Sequence, residues 1–122
     1  MGNNRIVVLV VEDEALLRLG IVDYLEDAGF TVFEAANATQ AVEILVQNPQ
    51  IAILFTDIDM PGGMDGLMLA AAVRDRWPPI QIVVTSGHRR VDQADLPARA
   101  QFLPKPYNPA ALVANLRELA AH

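Results

Sequence analysis

Four short stretches of this sequence hold residue types that handle phosphate and divalent cations. Glu12-Asp13 follows the apolar run Ile6 to Val11, and Asp57 closes a later run with Asp59 two residues on. Ser86 closes another, and Lys105 stands between Pro104 and Pro106. Carboxylates forced close together repel and raise one another's pKa values unless a cation sits among them. Oxygen-only ligands in a partly open cluster suit Mg²⁺, which keeps several waters and leaves positions for phosphate oxygens; Mn²⁺ is an acceptable substitute. A hydroxyl donor and a fixed ammonium beside such a cluster are what a developing phosphoryl charge requires. Each residue also has a plainer reading: Asp13 as a helix cap, Ser86 as a turn residue before Gly87, Lys105 as a surface charge. The plainer readings weaken only if the chain brings all of them together.

The elements that carry them decide that. Ile6 to Val11 is a continuous apolar run, β-branched except at Leu9, as in a strand buried on both faces of a parallel sheet. Glu14 to Ala28 has a helical stripe of Leu16, Leu17, Gly20, Ile21, Tyr24, Leu25 and Ala28, with Gly29 where a left-handed terminal residue is wanted. Phe30 to Ala35 is a second strand, and Asn37 with Gln40 caps a helix to about Gln47. Ile51 to Thr56 is a third strand, Gly66 to Trp77 a third helix, and Ile80 to Thr85 a fourth strand. His88 to Gln101 is interrupted by Asp92, Gln93, Asp95 and Pro97, which predicts only a short or irregular fourth helix. Phe102 to Pro104 is a short fifth strand. Asn108-Pro109 then opens a fifth helix that buries Leu112, Val113, Leu116 and Leu119.

Alternating strands and helices predict an α/β fold, a doubly wound five-stranded parallel sheet in the order 2-1-3-4-5. Its topological switch point lies between the first and third strands, where Glu12, Asp13 and Asp57 end up. Ser86 and Lys105 follow the fourth and fifth strands at the same end. The prolines around Lys105 predict a fixed backbone with a cis Lys105-Pro106 bond.

The chain has 122 residues, the size of one domain spanning 1-122, and no cysteine, so it carries neither a disulfide nor a thiolate metal site. MGNNRIVVLVVED is no signal peptide, because its apolar run is short and ends in acids. No stretch reaches the roughly 20 apolar residues of a membrane span. These features predict a cytoplasmic protein with no membrane partner. A net charge of −6 argues against direct nucleic-acid binding, although Arg89-Arg90 offers a local anion contact.

VVEDE at 10–14, TDIDMPGGMDG at 56–66, TSG at 85–87 and FLPKPY at 102–107 resemble the receiver domains of bacterial two-component response regulators. All four motifs occur in order across essentially the whole chain, as in single-domain, chemotaxis-regulator-like members. The resemblance implies a flavodoxin-like fold and a phosphoacceptor at Asp57. It implies that Asp13 contacts Mg²⁺ directly, Glu12 mainly through water, and Asp59 through its backbone carbonyl. Ser86 and Lys105 would each take a phosphoryl oxygen, and Phe102 would be the aromatic switch that turns as Ser86 moves. Histidine kinases or histidine phosphotransfer proteins would be donors. A downstream protein target would read a face built from the fourth helix, fifth strand and fifth helix. Apart from self-catalysed phosphoryl transfer and autodephosphorylation, such a protein is not an enzyme.

Some residues depart from the family pattern. Glu12 stands for the commoner Asp, Gly62-Gly63 lengthens a loop, and the Ser86–Lys105 connection is short. Asp59 and His88 flank the line of water attack and are expected to tune phosphoryl lifetime; an unchanged dephosphorylation rate on replacing them would sink this. If the 122 residues are the whole protein, the output is a protein contact. Three rival readings remain. Glu12 with Asp57-Ile58-Asp59 imitates a topoisomerase–primase site, but the charge is wrong and Ser86 and Lys105 go unexplained. A haloacid-dehalogenase-like phosphatase would use Asp57 as nucleophile and Asp59 as acid. Its DxD usually ends the first core strand of a longer chain, and Met60 stands where Thr or Val is usual. A binding module that has lost phosphorylation would not keep Asp13, Asp57, Ser86 and Lys105 together.

Overall fold

The computed structural model describes residues 5–60, 62–88 and 90–121. Arg89, paired above with Arg90, lies outside the described residues, as do Pro61, the first four residues and His122. Five parallel strands, β1 (Val7–Val11), β2 (Thr31–Ala35), β3 (Ile53–Asp57), β4 (Gln81–Ser86) and β5 (Ala100–Pro104), form one sheet in the order β2-β1-β3-β4-β5. The predicted order is therefore present. Alternation along each strand feeds two cores. Leu9, Val11, Leu54, Ile82 and Val84 pack under α2 (Ala38–Gln47) and α3 (Gly66–Arg76). Val8, Val10, Ile53, Phe55 and Val83 pack under α1 (Ala15–Asp27) and α4 (Pro109–Ala120).

Strand limits differ from the apolar runs at both ends of the scale. Ile51 and Ile80 are buried yet precede β3 and β4, where they plug the bottom of the sheet. β5 begins two residues earlier than its apolar pattern, because pairing of Ala100 with Ile82 and Gln101 with Val83 recruits a polar residue on an edge strand. The caps behave as expected. Asn37 Oδ1 accepts from the Gln40 N–H at 2.9 Å, and Asn108 Oδ1 from the Ala110 N–H at 2.8 Å.

One helical expectation holds, a short and irregular fourth segment, and another holds only in part. Between β4 and β5 the described residues form no α-helix, only a 3₁₀ turn at Gln93–Asp95. Asp92 and Asp95 bond their local backbone as a capping box, and Asp and Gln in place of an apolar stripe leave nothing to hold a longer helix on the sheet. Val91 and Leu96 supply the apolar cover instead. The stretch is tied down by Arg74 at the end of α3, whose guanidinium donates to the carbonyls of Ala98 at 2.7 Å, Pro78 at 2.7 Å and Ile80 at 2.8 Å. In α1, moreover, only part of the predicted stripe faces the core: Leu25 is buried beside Val22, and Ile21 and Ala28 pack against them, whereas Leu16 is 88% and Tyr24 43% exposed. Leu16, Leu17 and Tyr24 line an open apolar groove of about 620 Å³ whose far wall is Pro106, Tyr107 and Pro109.

Candidate functional site

Because all strands are parallel, their C-terminal ends deliver Glu12, Asp57, Ser86 and Lys105 to one rim of the sheet. Glu12 leaves β1 with its N–H on the Ala35 carbonyl, and its own carbonyl accepts from Arg18 Nη1 at 2.7 Å. Asp57 is the last residue of β3 and is only 6% exposed. Thr56 Oγ1 donates to its carbonyl at 2.9 Å, while Thr85 Oγ1 donates to the Leu103 carbonyl at 2.6 Å and ties β4 to β5. Lys105 follows β5 with its N–H on the Ser86 carbonyl at 3.1 Å, and the Lys105-Pro106 bond is cis, as the flanking prolines predict.

Three carboxylates meet. Glu12, Asp13 and Asp57 each offer an oxygen, all within 4.8 Å of one another. Lys105 Nζ lies 3.0 Å from Asp57 Oδ2 and 3.6 Å from Glu12 Oε1. One ammonium among three acids leaves the cluster short of positive charge. The donors are all oxygen, two of the side chains are buried and Asp13 is exposed, so the set fits a hydrated divalent cation of the Mg²⁺ kind.

The electrostatics carry the same imbalance. Burial pushes the Glu12 carboxyl up from 4.5 to about 7; the negative Asp57 adds to this, and the Glu14 N–H on Glu12 Oε2 and the Lys105 ammonium oppose it. For Lys105, burial acts to lower the pKa, but the hydrogen bond and charge of Asp57, then those of Glu12, outweigh it and raise it. Tyr107 is pushed up to about 12 by burial and by the charges of Glu12 and Asp57.

A stability prediction follows from Glu12. Its folded pKa lies above its unfolded one, so the folded chain holds the proton more tightly. Its contribution is complete below pH 4.5 and is lost as pH rises through about 7. Urea denaturation in chelator should therefore show stability falling across that window by at most about 3 kcal/mol, and Glu12→Gln should flatten the slope. An unchanged slope in the variant would remove Glu12 as its source.

The remaining expected residues take different places. Asp59 does not join the three acids through its side chain: its Oδ2 accepts from Ser86 Oγ at 2.5 Å, and its N–H donates to Asp57 Oδ1 at 3.1 Å. His88 is exposed and its backbone N–H donates to Ser86 Oγ at 3.2 Å. Phe102 is half-buried on the sheet face of Val84, beside the core under α2 and α3. Two contributors escaped the sequence reading. Arg18 bridges Glu12 and Glu34, and only its spacing on α1 hinted at that. Gly66 opens α3 directly against Asp57, and a Cβ there would overlap the Asp57 carbonyl; its place at the end of TDIDMPGGMDG was the available signal.

Comparison with known proteins agrees with this geometry. A family model described as the response regulator receiver domain matches residues 8–117. The chain is 38% identical over 116 residues to the sensor kinase CckA of Brucella abortus, covering 92% of this chain and 12% of that protein. It is 35% identical over 114 residues to an NtrX-like response regulator of Rickettsia bellii, covering 90% of this chain and 24% of the relative. The chain thus spans a quarter or less of these relatives. A response regulator receiver protein from Sinorhizobium medicae superposes with a TM-score of 0.89 at 30% identity, covering 98% of each chain. The receiver domain of the hybrid histidine kinase CckA superposes at 0.79 with 29% identity, covering 93% of this chain and 97% of that one.

Proposed function

Since the chain belongs to the response regulator receiver family, we propose that Asp57 is the residue on which it accepts a phosphoryl group. As a receiver it is a phosphoacceptor module of two-component signalling, and the DxD nuclease and phosphatase readings are not favoured. The observation that carries the assignment is Asp57 itself: a buried carboxylate in an acidic cluster with an ammonium 3.0 Å from one oxygen. Asp59 turns its carboxylate to Ser86 instead of presenting a second DxD ligand.

An Asp57 oxygen attacks phosphorus in line with the P–N bond of a donor phosphohistidine, and the imidazole departs with the bonding electrons and takes up a proton. Mg²⁺ held by Glu12, Asp13, Asp57 and the Asp59 backbone carbonyl would supply charge neutralisation at the transferring oxygens when bound. Lys105 pairs with one phosphoryl oxygen and Ser86 donates to another. Phe102 follows Ser86, and Asp59 and His88 tune how long the aspartyl phosphate lasts. These new charge-assisted contacts stabilise a second arrangement of a protein-binding face. With only a 3₁₀ turn and no α-helix between β4 and β5 among the described residues, that face is built from the 90–99 stretch, β5 and α4.

The phosphodonor docks in the groove between α1 and the β5–α4 connection, because Gly87 and Lys105 line that groove as well as the site. Leu16→Glu should slow transfer from a donor protein about tenfold or more while labelling by acetyl phosphate stays unchanged. An equal effect on both donors would refute the docking face.

The function itself is tested by mass spectrometry after Mg²⁺ and acetyl phosphate are added. The expected result is one phosphoryl mass gained, lost in Asp57→Asn and in excess chelator. Absence of labelling, together with failure to bind beryllofluoride, would overturn the reading.

A further inference from the structure

We propose that Asp59 is a positioning residue that latches Ser86 in the resting state, so that phosphorylation of Asp57 must break an existing hydrogen bond before the Ser86 hydroxyl can turn to the phosphoryl group. This deepens the receiver reading and rests on it.

Ser86 Oγ donates to Asp59 Oδ2 at 2.5 Å, the short end of the range for a hydroxyl on a carboxylate. Ser86 is 2% exposed, so water does not compete for the hydroxyl. A serine hydroxyl has one proton to donate. It therefore cannot serve Asp59 and a phosphoryl oxygen at once. The same Oγ accepts the His88 N–H at 3.2 Å, so the loop leaving β4 is pinned by the resting position of this side chain. The latch is also anchored to the phosphoacceptor, because the Asp59 N–H donates to Asp57 Oδ1 at 3.1 Å.

Phosphorylation strikes this arrangement twice. The phosphoryl oxygens are rival acceptors for the single Ser86 proton, and their charge repels the Asp59 carboxylate. Asp59 thus lowers the population of the active arrangement until a phosphoryl group is present, and it raises the differential stabilisation the phosphoryl must supply. Once Ser86 turns, the His88 N–H loses its acceptor. The change then enters the loop leaving β4 at His88, and no α-helix lies between it and β5 among the described residues.

The test is a double-mutant cycle on Asp59 and Ser86, reading beryllofluoride affinity in the presence of Mg²⁺ by calorimetry. Removing the Asp59 charge helps an anion bind whether or not a latch exists, so the single variant decides nothing. The latch predicts that Asp59→Ala raises affinity about tenfold more in the Ser86 protein than in the Ser86→Ala protein. Asp59→Asn keeps an acceptor oxygen without the charge, and it should recover part of that coupling. It also guards against an alanine-induced change in the loop. Equal fold-changes in the two backgrounds would overturn the latch and leave the receiver reading intact. Failure of the unaltered protein to bind beryllofluoride would overturn both.

Discussion

Gly66→Ala is expected to cost the fold more than about 4 kcal/mol and to abolish labelling of whatever fraction stays folded. A methyl group at this position meets three atoms, the Asp57 carbonyl oxygen and carbon and the Ile58 Cα, and all of them are backbone. No flexible side chain can give way. The Gly66 N–H is also fixed, donating to the Ile58 carbonyl at 2.9 Å, while Asp65 caps the same turn through the Met68 N–H at 2.9 Å. Either α3 lifts away from Leu54 and Ile82, or the end of β3 moves and carries Asp57 out of reach of Lys105. Domains of this size keep roughly 5–15 kcal/mol of net stability, so the first outcome leaves little. Gly63→Ala is the matched control, since its Cβ meets nothing within 4 Å and its backbone is not left-handed. Urea denaturation of the two variants should separate them by several kcal/mol. A Gly66→Ala protein as stable as Gly63→Ala, and still labelled on Asp57, would refute the packing argument.

That contact also marks how far the sequence could be read. Residue types and strand ends were enough to gather Glu12, Asp13, Asp57, Ser86 and Lys105, because a parallel sheet sends every strand end to the same rim. The order of strands was legible for the same reason: chain length, alternation and right-handed crossovers leave few arrangements. Contacts that depend on side-chain direction were not. Asp59 was expected to offer its backbone carbonyl and to tune phosphoryl lifetime, and nothing in a spacing of two residues reveals that its carboxylate turns to Ser86. The α1 stripe had helical periodicity, but a period cannot tell the side chains that meet the sheet from those left exposed beside them, as Leu16 and Tyr24 are. The short, irregular segment before β5 was legible, since Asp92, Gln93, Asp95 and Pro97 interrupt any longer helix. What ties it down, the Arg74 guanidinium reaching the distant Ala98 carbonyl as well as those of nearby Pro78 and Ile80, has no local signature.

Lys105→Ala should slow labelling by acetyl phosphate about a hundredfold and remove the conformational response, while the fold survives in the presence of Mg²⁺. The ammonium is the one cation the structure supplies to Asp57, at 3.0 Å, among the described residues. In a site shielded from water, one preorganised charge aimed at the transferring oxygens is worth two to three orders of magnitude in rate. The response should suffer as well. On the proposed switch, in which the phosphoryl group turns Ser86 and Phe102, losing Lys105 as a partner would lower the differential stabilisation available to it. Lys105→Arg should not rescue either property, because a planar guanidinium does not present a compact charge to both Asp57 and Glu12. Loss of activity through misfolding would look similar in a rate assay, so the deciding measurement is Mg²⁺ affinity. Deleting a positive charge beside three carboxylates should tighten Mg²⁺ binding by about tenfold, whereas a damaged site would bind it more weakly. Tighter Mg²⁺, slower labelling and a silent Phe102 resonance on adding beryllofluoride would together fix the role of Lys105. A normal Phe102 shift in the variant would show that the ammonium is not what couples the phosphoryl group to the switch.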